Sequence, residues 1–319
     1  MSCVERNETL PGIAAMNKSI VNMAASVRQR LLNLGHERKE DFGLILTKYA
    51  LERVLYRISH SNHHKIFVLK GALLFELWTE QRYRPTRDAD FLARGQNSPE
   101  RFIEIFKEIC NIKVENDGLR FDAVTVSAER ITEDADYHGI RVKFVGYLAN
   151  ARIPIQIDLG FGDVITPAPI EAELPTLLEF PAPKLFTYPR ESVIAEKLEA
   201  LVNRGMTNSR MKDFYDIRSL SRRFSFDGGL LSDAVAGTFN RRGTKFPDGK
   251  PLAFTAEFFD NVEKQKQWKA FCTKNKAYLE QIPLQNVCEE IDAFLTPILE
   301  SAAADSKFFS KWIRGRGWG

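Results

Sequence analysis

Long apolar runs are missing from this 319-residue chain. None approaches the roughly 18 residues that a bilayer-crossing helix needs, so no membrane-spanning segment or membrane partner is expected. Cysteine is scarce: Cys3, Cys110, Cys272 and Cys288 are scattered, with no CxxC pair and no zinc-like spacing. That excludes a disulfide framework and points to reduced thiols in a cytoplasmic protein. The opening residues 1–10 carry charge and no apolar core, so no secretory leader is expected. Histidine is also sparse. His60, His63 and His64 cluster in one polar run without a cysteine or acid spaced for zinc, which reads as a solvated loop; His36 and His138 stand alone. No internal repeat, no low-complexity segment and no complete Walker A loop occurs. The net charge of +3 is too mild to define a nucleic-acid binder by itself.

The composition, 44% hydrophobic and 27% charged, is that of a chain able to bury a substantial core. Helical spacing of apolar residues predicts helices over 17–34, with Gly35 as a stop, and over 40–59. A buried strand is expected at 66–69, followed by Gly71 and a helix carrying Leu73, Leu74, Leu77 and Trp78. Another strand is expected at 88–92. Ser98-Pro99-Glu100 opens a helix over 99–110, with serine as cap and proline in its first position. Segments 121–128, 140–148 and 153–159 read as strands. From Gly160 to Pro189 the chain is dense in proline (Pro167, Pro169, Pro175, Pro181, Pro183, Pro189), which marks a connector. Helical patterns then fill 190–204, 212–223, 229–240, 255–276 and 284–302. The fold class is therefore α+β: a mixed sheet flanked by helices over residues 1–178, followed by an all-α part over 179–319.

Chemistry gathers at a few points. In Arg87-Asp88-Ala89-Asp90-Phe91 the alternation of a strand puts both carboxylates on one face, roughly 7 Å apart along the backbone. Like charges so placed ask for a cation, and a divalent metal suits all-oxygen ligands. Such a pair also occurs by chance on strand edges. Asp158 closes the apolar strand Ile155-Gln156-Ile157 and could supply a third acid. Lys70-Gly71, between a strand and a helix, could meet a phosphate through backbone N–H groups and the ammonium. Lys197 sits beside the apolar stripe of helix 190–204; it either reaches triphosphate oxygens or buries its stem and snorkels to solvent. In the segment after Ser209, Asp213 and Asp216 fall on one helix face and Lys212 can pair with Asp216; ordinary ion pairs in a capped helix are the alternative. Basic clusters lie at Arg82, Arg84 and Arg87, at Arg222-Arg223 and at Arg241-Arg242. The C-terminal run from Lys311 to Trp318 mixes basic residues with tryptophan, which suits either nucleic-acid contact or a frayed tail.

Taken in order, Leu69-Lys70-Gly71, Thr86-Arg87-Asp88-Ala89-Asp90-Phe91, Ile157-Asp158-Leu159-Gly160, Glu196-Lys197-Leu198 and Lys212-Asp213-Phe214-Tyr215-Asp216 resemble the AbiEii/AbiGii-type nucleotidyltransferase toxins of bacterial type IV toxin–antitoxin systems. These belong to the DNA-polymerase-β-like nucleotidyltransferase superfamily. The resemblance covers about residues 40–225. Where the family usually reads LKGGTAL, this chain has Leu69-Lys70-Gly71-Ala72-Leu73-Leu74 and lacks one glycine and the hydroxyl residue. The resemblance implies a polymerase-β-like domain whose active site is completed by a helical C-terminal part. It implies an enzyme that moves NMP from an NTP to an acceptor, the tRNA 3′ end or another RNA, and so causes growth arrest in phage defence; a nucleotidyltransferase that modifies a protein or a small molecule, and a non-catalytic nucleotide-binding regulator, are the alternatives. It implies Mg²⁺ (or Mn²⁺) on Asp88 and Asp90, with Asp158 as a third ligand, a base or a structural neighbour. Lys197 would contact the triphosphate, aided by Lys70, Gly71, Arg87 and Lys212, and Asp213 would be essential. Thr86 would be a phosphorylation site, and a cognate winged-helix antitoxin would be the partner.

Overall fold

A computed structural model describes residues 22–79, 83–134 and 137–319. Cys3, Arg82 and the expected helix start at 17–21 lie outside the described residues. Helices α1 (Met23–Arg38) and α2 (Phe42–Ser59) lead into β1 (Phe67–Lys70), α3 (Leu74–Trp78), β2 (Ala89–Ala93) and α4 (Pro99–Cys110). Strands β3 (Leu119–Asp134), β4 (Tyr137–Leu148) and β5 (Ala151–Phe161) follow, then the short β6 (Ile170–Glu173) and β7 (Lys184–Thr187). The rest is mainly helical: α5 (Arg190–Arg204), α6 (Met211–Arg223), α7 (Gly228–Arg242), α8 (Ala256–Phe259), α9 (Val262–Lys274) and α10 (Leu284–Ala303). A small sheet of β8 (Phe226–Asp227), β9 (Lys311–Ile313) and β10 (Gly317–Trp318) completes it.

Seven strands form one mixed sheet in the order β3-β4-β5-β2-β1-β7-β6. The β2–β5 and β1–β7 pairs are parallel and the others antiparallel. Strand alternation sorts the faces. Phe67 and Leu69, Ala89 and Phe91, and Ile153, Ile155, Ile157 and Leu159 are buried on the face where α2 meets β5 and α4 meets β3. Residues of opposite parity, Lys70, Asp90 and Asp158, fall on the other face. The sheet also takes a strand from beyond residue 178, because β7 lies between β1 and β6.

Several local expectations hold, and others change for identifiable reasons. The Ser98 hydroxyl accepts from the Arg101 N–H with Pro99 in the first helical position, as the sequence predicts. Helix α1 runs through Gly35 and ends at Lys39, whose φ of 53° makes the left-handed cap; the Gly35 carbonyl accepts from the Lys39 and Glu40 N–H groups. The helix expected over 255–276 is broken, because the Asn261 side chain accepts from the N–H groups of Glu263 and Lys264 and starts α9 afresh. The proline-rich connector contains β6 and β7, with prolines flanking the strands and none inside them. Buried charges on α2 pin it: Arg53 donates to the Pro181 carbonyl at 2.9 and 3.0 Å, and Glu52 accepts from the Leu177 N–H at 2.7 Å.

The C-terminal run is neither frayed nor free to stack on bases. Trp312 donates its indole N–H to the Ser221 carbonyl and Trp318 donates to the Phe294 carbonyl. Both rings pack on Phe294, with centroids 4.7 and 5.8 Å away. The basic residues beside them, Lys311, Arg314 and Arg316, remain exposed.

Candidate active site

Register aligns four charged residues across neighbouring strands. Lys70 on β1 faces Asp90 on β2, Asp90 faces Asp158 on β5, and Asp158 faces Arg141 on β4. The two acids therefore sit between two cations on the polar face of the sheet. Asp88, one residue before β2, brings its carboxylate to the same place; oxygens of Asp88, Asp90 and Asp158 all lie within 4.8 Å of one another. Thr86 donates a short hydrogen bond to Asp88 Oδ1. Burial, and next the charge of Asp88, push the Asp90 carboxyl up to about 7, against the favourable charges of Lys212 and Lys70. Among the described residues no hydrogen bond reaches the Asp90 carboxylate. Asp158 is held differently: Arg141 donates to both its oxygens, at 2.8 and 2.7 Å.

The glycine before this row is required by it. Gly71 has φ of +77°, and a Cβ there would lie 2.0 Å from Asp90 Oδ2. The missing side chain is thus the space that the Asp90 carboxylate occupies. Three clustered carboxylates, one without a hydrogen bond and seated in that space, fit a hard divalent cation with oxygen ligands.

The helical part supplies a second cluster. Lys197 on α5 places its ammonium 2.6 Å from Asp213 and 2.8 Å from Asp216, both on α6. Arg210 donates to Asp213 at 2.6 Å. Asp216 also accepts from Arg84 at 3.0 and 2.7 Å and from the Tyr83 hydroxyl at 2.8 Å. Burial opposes charge on both acids; Lys197 with Arg210 for Asp213, and Arg84 with Lys197 for Asp216, outweigh it and hold the carboxyls below their ordinary range. Burial likewise opposes the Lys197 charge, and Asp213 and Asp216 hold the ammonium above its usual value.

A third cluster joins the two parts. Lys70 donates to Asp163 at 3.0 Å and to Glu196 at 3.2 Å. Arg242 donates to Glu199 at 2.8 Å and Asp163 at 3.2 Å. Arg241 donates to the Gly162 carbonyl, and Gly162, at φ of +80°, has no Cβ to collide with that guanidinium. Arg241 and Arg242 are therefore tied into the loop after β5.

A cavity of about 720 Å³ is walled by all three clusters, with Asp88, Asp90, Asp158, Lys197, Arg210 and Lys212 among its lining. The structure brings Thr86, Lys70 and Gly71 to the same wall. It does not bring Arg87, which is exposed and outside that wall. Asp213 is fully buried behind Lys197 and Arg210 and does not itself line the cavity. The spacing that offered Lys212 to Asp216 is superseded, because Arg84, Lys197 and Tyr83 take Asp216 while Lys212 lines the cavity. Arg84 was visible only as one of an arginine cluster. Glu196 entered only as the neighbour of Lys197 in its motif, and Arg141 was not singled out at all, because strand register and helix docking alone give these residues and Glu199 their partners.

The family described as "Nucleotidyl transferase AbiEii toxin, Type IV TA system" matches residues 53–296. No curated protein matches the chain. Among solved structures, a candidate nucleotidyltransferase from H. pylori aligns over 88% of this chain and 95% of its own, at 12% identity and a TM-score of 0.44. JHP933 from Helicobacter pylori aligns over 90% of this chain and 94% of its own, at 13% identity and a TM-score of 0.40.

Proposed function

The chain belongs to the AbiEii nucleotidyl transferase toxins of type IV toxin–antitoxin systems, and from that premise we propose that it transfers NMP from an NTP to RNA, with the tRNA 3′ end as acceptor and growth arrest as the outcome. The observation that carries this reading is the facing of three clustered carboxylates by Lys197, Arg210 and Lys212 across one cavity. Asp88, Asp90 and Asp158 would hold Mg²⁺ or Mn²⁺. Bound there, a divalent ion supplies charge neutralisation at the reacting phosphoryl oxygens. Lys197 and Lys212, with Arg210 beside them, attract and orient the triphosphate. The acceptor hydroxyl oxygen bonds to the α-phosphorus, the α–β phosphoanhydride bond breaks, pyrophosphate leaves, and the hydroxyl proton passes to a carboxylate of the cluster. Asp213 acts by fixing Lys197 and Arg210. Lys70 and Gly71 shape the Asp90 side of the pocket, and Arg87 is free for a longer acceptor outside it.

In this reading residues 1–178 bring the acids and 179–319 bring the cations. The protein works in the cytoplasm, in phage defence, and is held by a winged-helix antitoxin. Thr86, hydrogen-bonded to Asp88, is where a phosphoryl group would crowd the acids with negative charge. The test is incubation with each labelled NTP, Mg²⁺ and total RNA. Label should enter RNA of tRNA size, EDTA should abolish it, and Asp88→Ala should lower it by more than about 100-fold. Failure to label any RNA with any NTP would sink the acceptor assignment.

A further inference from the structure

The three carboxylates are not equivalent. The Asp90 carboxylate has no hydrogen bond among the described residues, and Asp88 is met by a hydroxyl, Thr86. Asp158 alone is gripped by a cation, with Arg141 donating Nε to Oδ1 at 2.8 Å and Nη2 to Oδ2 at 2.7 Å. Gln156, two residues earlier on the same strand face, adds a bond to Oδ2 at 3.3 Å. A forked arginine occupies one acceptor position on each oxygen and withdraws the carboxylate's charge from its neighbours. Arg141 is nonetheless placed to leave. Its side chain is about a third exposed, against 9% for Asp158, and it lines the same cavity as Lys197 and Lys212. A phosphate entering that cavity would offer the guanidinium an equivalent fork.

We propose that Arg141 is a latch on the third carboxylate: it competes with the metal for the Asp158 oxygens in the nucleotide-free protein and releases them when a substrate phosphate takes the guanidinium. Arg141 is thus a positioning residue that links phosphate arrival to completion of the metal site. The inference rests on the reading of Asp88, Asp90 and Asp158 as metal ligands.

Calorimetric titration with Mn²⁺, without nucleotide, tests it. Arg141→Ala should bind Mn²⁺ roughly tenfold more tightly than wild type, the order expected when a charge-assisted bond stops competing. Arg141→Lys, which keeps the charge and loses the fork, should fall between. In an Asp158→Asn background Arg141→Ala should change Mn²⁺ affinity little, since no latched acid remains. In EDTA, tripolyphosphate should bind Arg141→Ala severalfold more weakly than wild type. Equal tightening in both backgrounds would make Arg141 a mere through-space charge and overturn the latch. Unchanged Mn²⁺ affinity in Arg141→Ala, beside measurable wild-type binding, would also overturn it, as would unchanged tripolyphosphate affinity. Absence of Mn²⁺ binding in wild type and both Arg141 variants would overturn the metal reading and the latch together. Thermal melts of each variant establish that the titrated proteins are folded.

Discussion

A methyl group at residue 71 would stand where the Asp90 carboxylate lies. The clash at 2.0 Å is with the carboxylate itself, and the backbone at φ of +77° disfavours any side chain. Gly71→Ala should therefore cost about 1–2 kcal/mol from the left-handed backbone and displace Asp90 as well. Mn²⁺ affinity should fall by more than the melting temperature shift alone suggests; retained affinity would show that Asp90 has another place to go. Gly71 was legible in the sequence as a glycine between strand and helix suited to phosphate contact, and the structure adds that its missing side chain leaves room for the Asp90 carboxylate. Lys70 keeps its place on the cavity wall and gains partners that the sequence did not show, Asp163 and Glu196. Single residues announce their chemistry in sequence. Their partners come from register and docking, which span 93 positions between Lys70 and Asp163 and leave no local pattern.

Helices with strong end signals were legible almost to the residue. Ser98-Pro99 fixes the start of α4, and α5 fills the expected 190–204. Short strands between prolines were not, because β6 and β7 have four residues each and pair only through the sheet. The α5–α6 contact is also a tertiary matter, and its electrostatics make a pH prediction. The folded carboxyl of Asp216 lies below its ordinary value because Arg84 and Lys197 outweigh burial. A depressed folded value means stabilisation that is complete above the unfolded carboxyl's pKa, about 3.9, and is lost as pH falls below it. Lys197 has the opposite shift, so its contribution is complete below about pH 10 and is lost above it. Asp216→Asn should cost roughly 3–5 kcal/mol near neutral pH, read from urea unfolding. That difference should narrow as the pH is taken below about 4. A gap that stays constant down to pH 3 would show that shape, not charge, is what Asn disturbs.

On the scale of the whole molecule, charged contacts cross repeatedly between the sheet and the helices. Arg84, before β2, binds Asp216 on α6; Lys70 on β1 binds Glu196 on α5; Arg242 on α7 binds Asp163 after β5. Most of these side chains are at least four-fifths buried, down to 0% exposure for Asp216 and 4% for Asp163. Removing one partner of such a pair leaves the other charge stranded in a poor solvent, which costs more than the pair contributes. The two parts should therefore not melt separately, although the sequence reads as a sheet region followed by a helical one. Scanning calorimetry should give a single transition with equal van't Hoff and calorimetric enthalpies. Arg242→Ala, which leaves Asp163 and Glu196 to Lys70 and takes the guanidinium from buried Glu199, should lower that transition and broaden it, as the helices loosen from the loop after β5. Two resolved transitions in the unaltered protein would mean that the crossing pairs do not couple the parts. The cavity would then be a cleft between independent bodies, and the facing of carboxylates by Lys197 would depend on how far those bodies had closed.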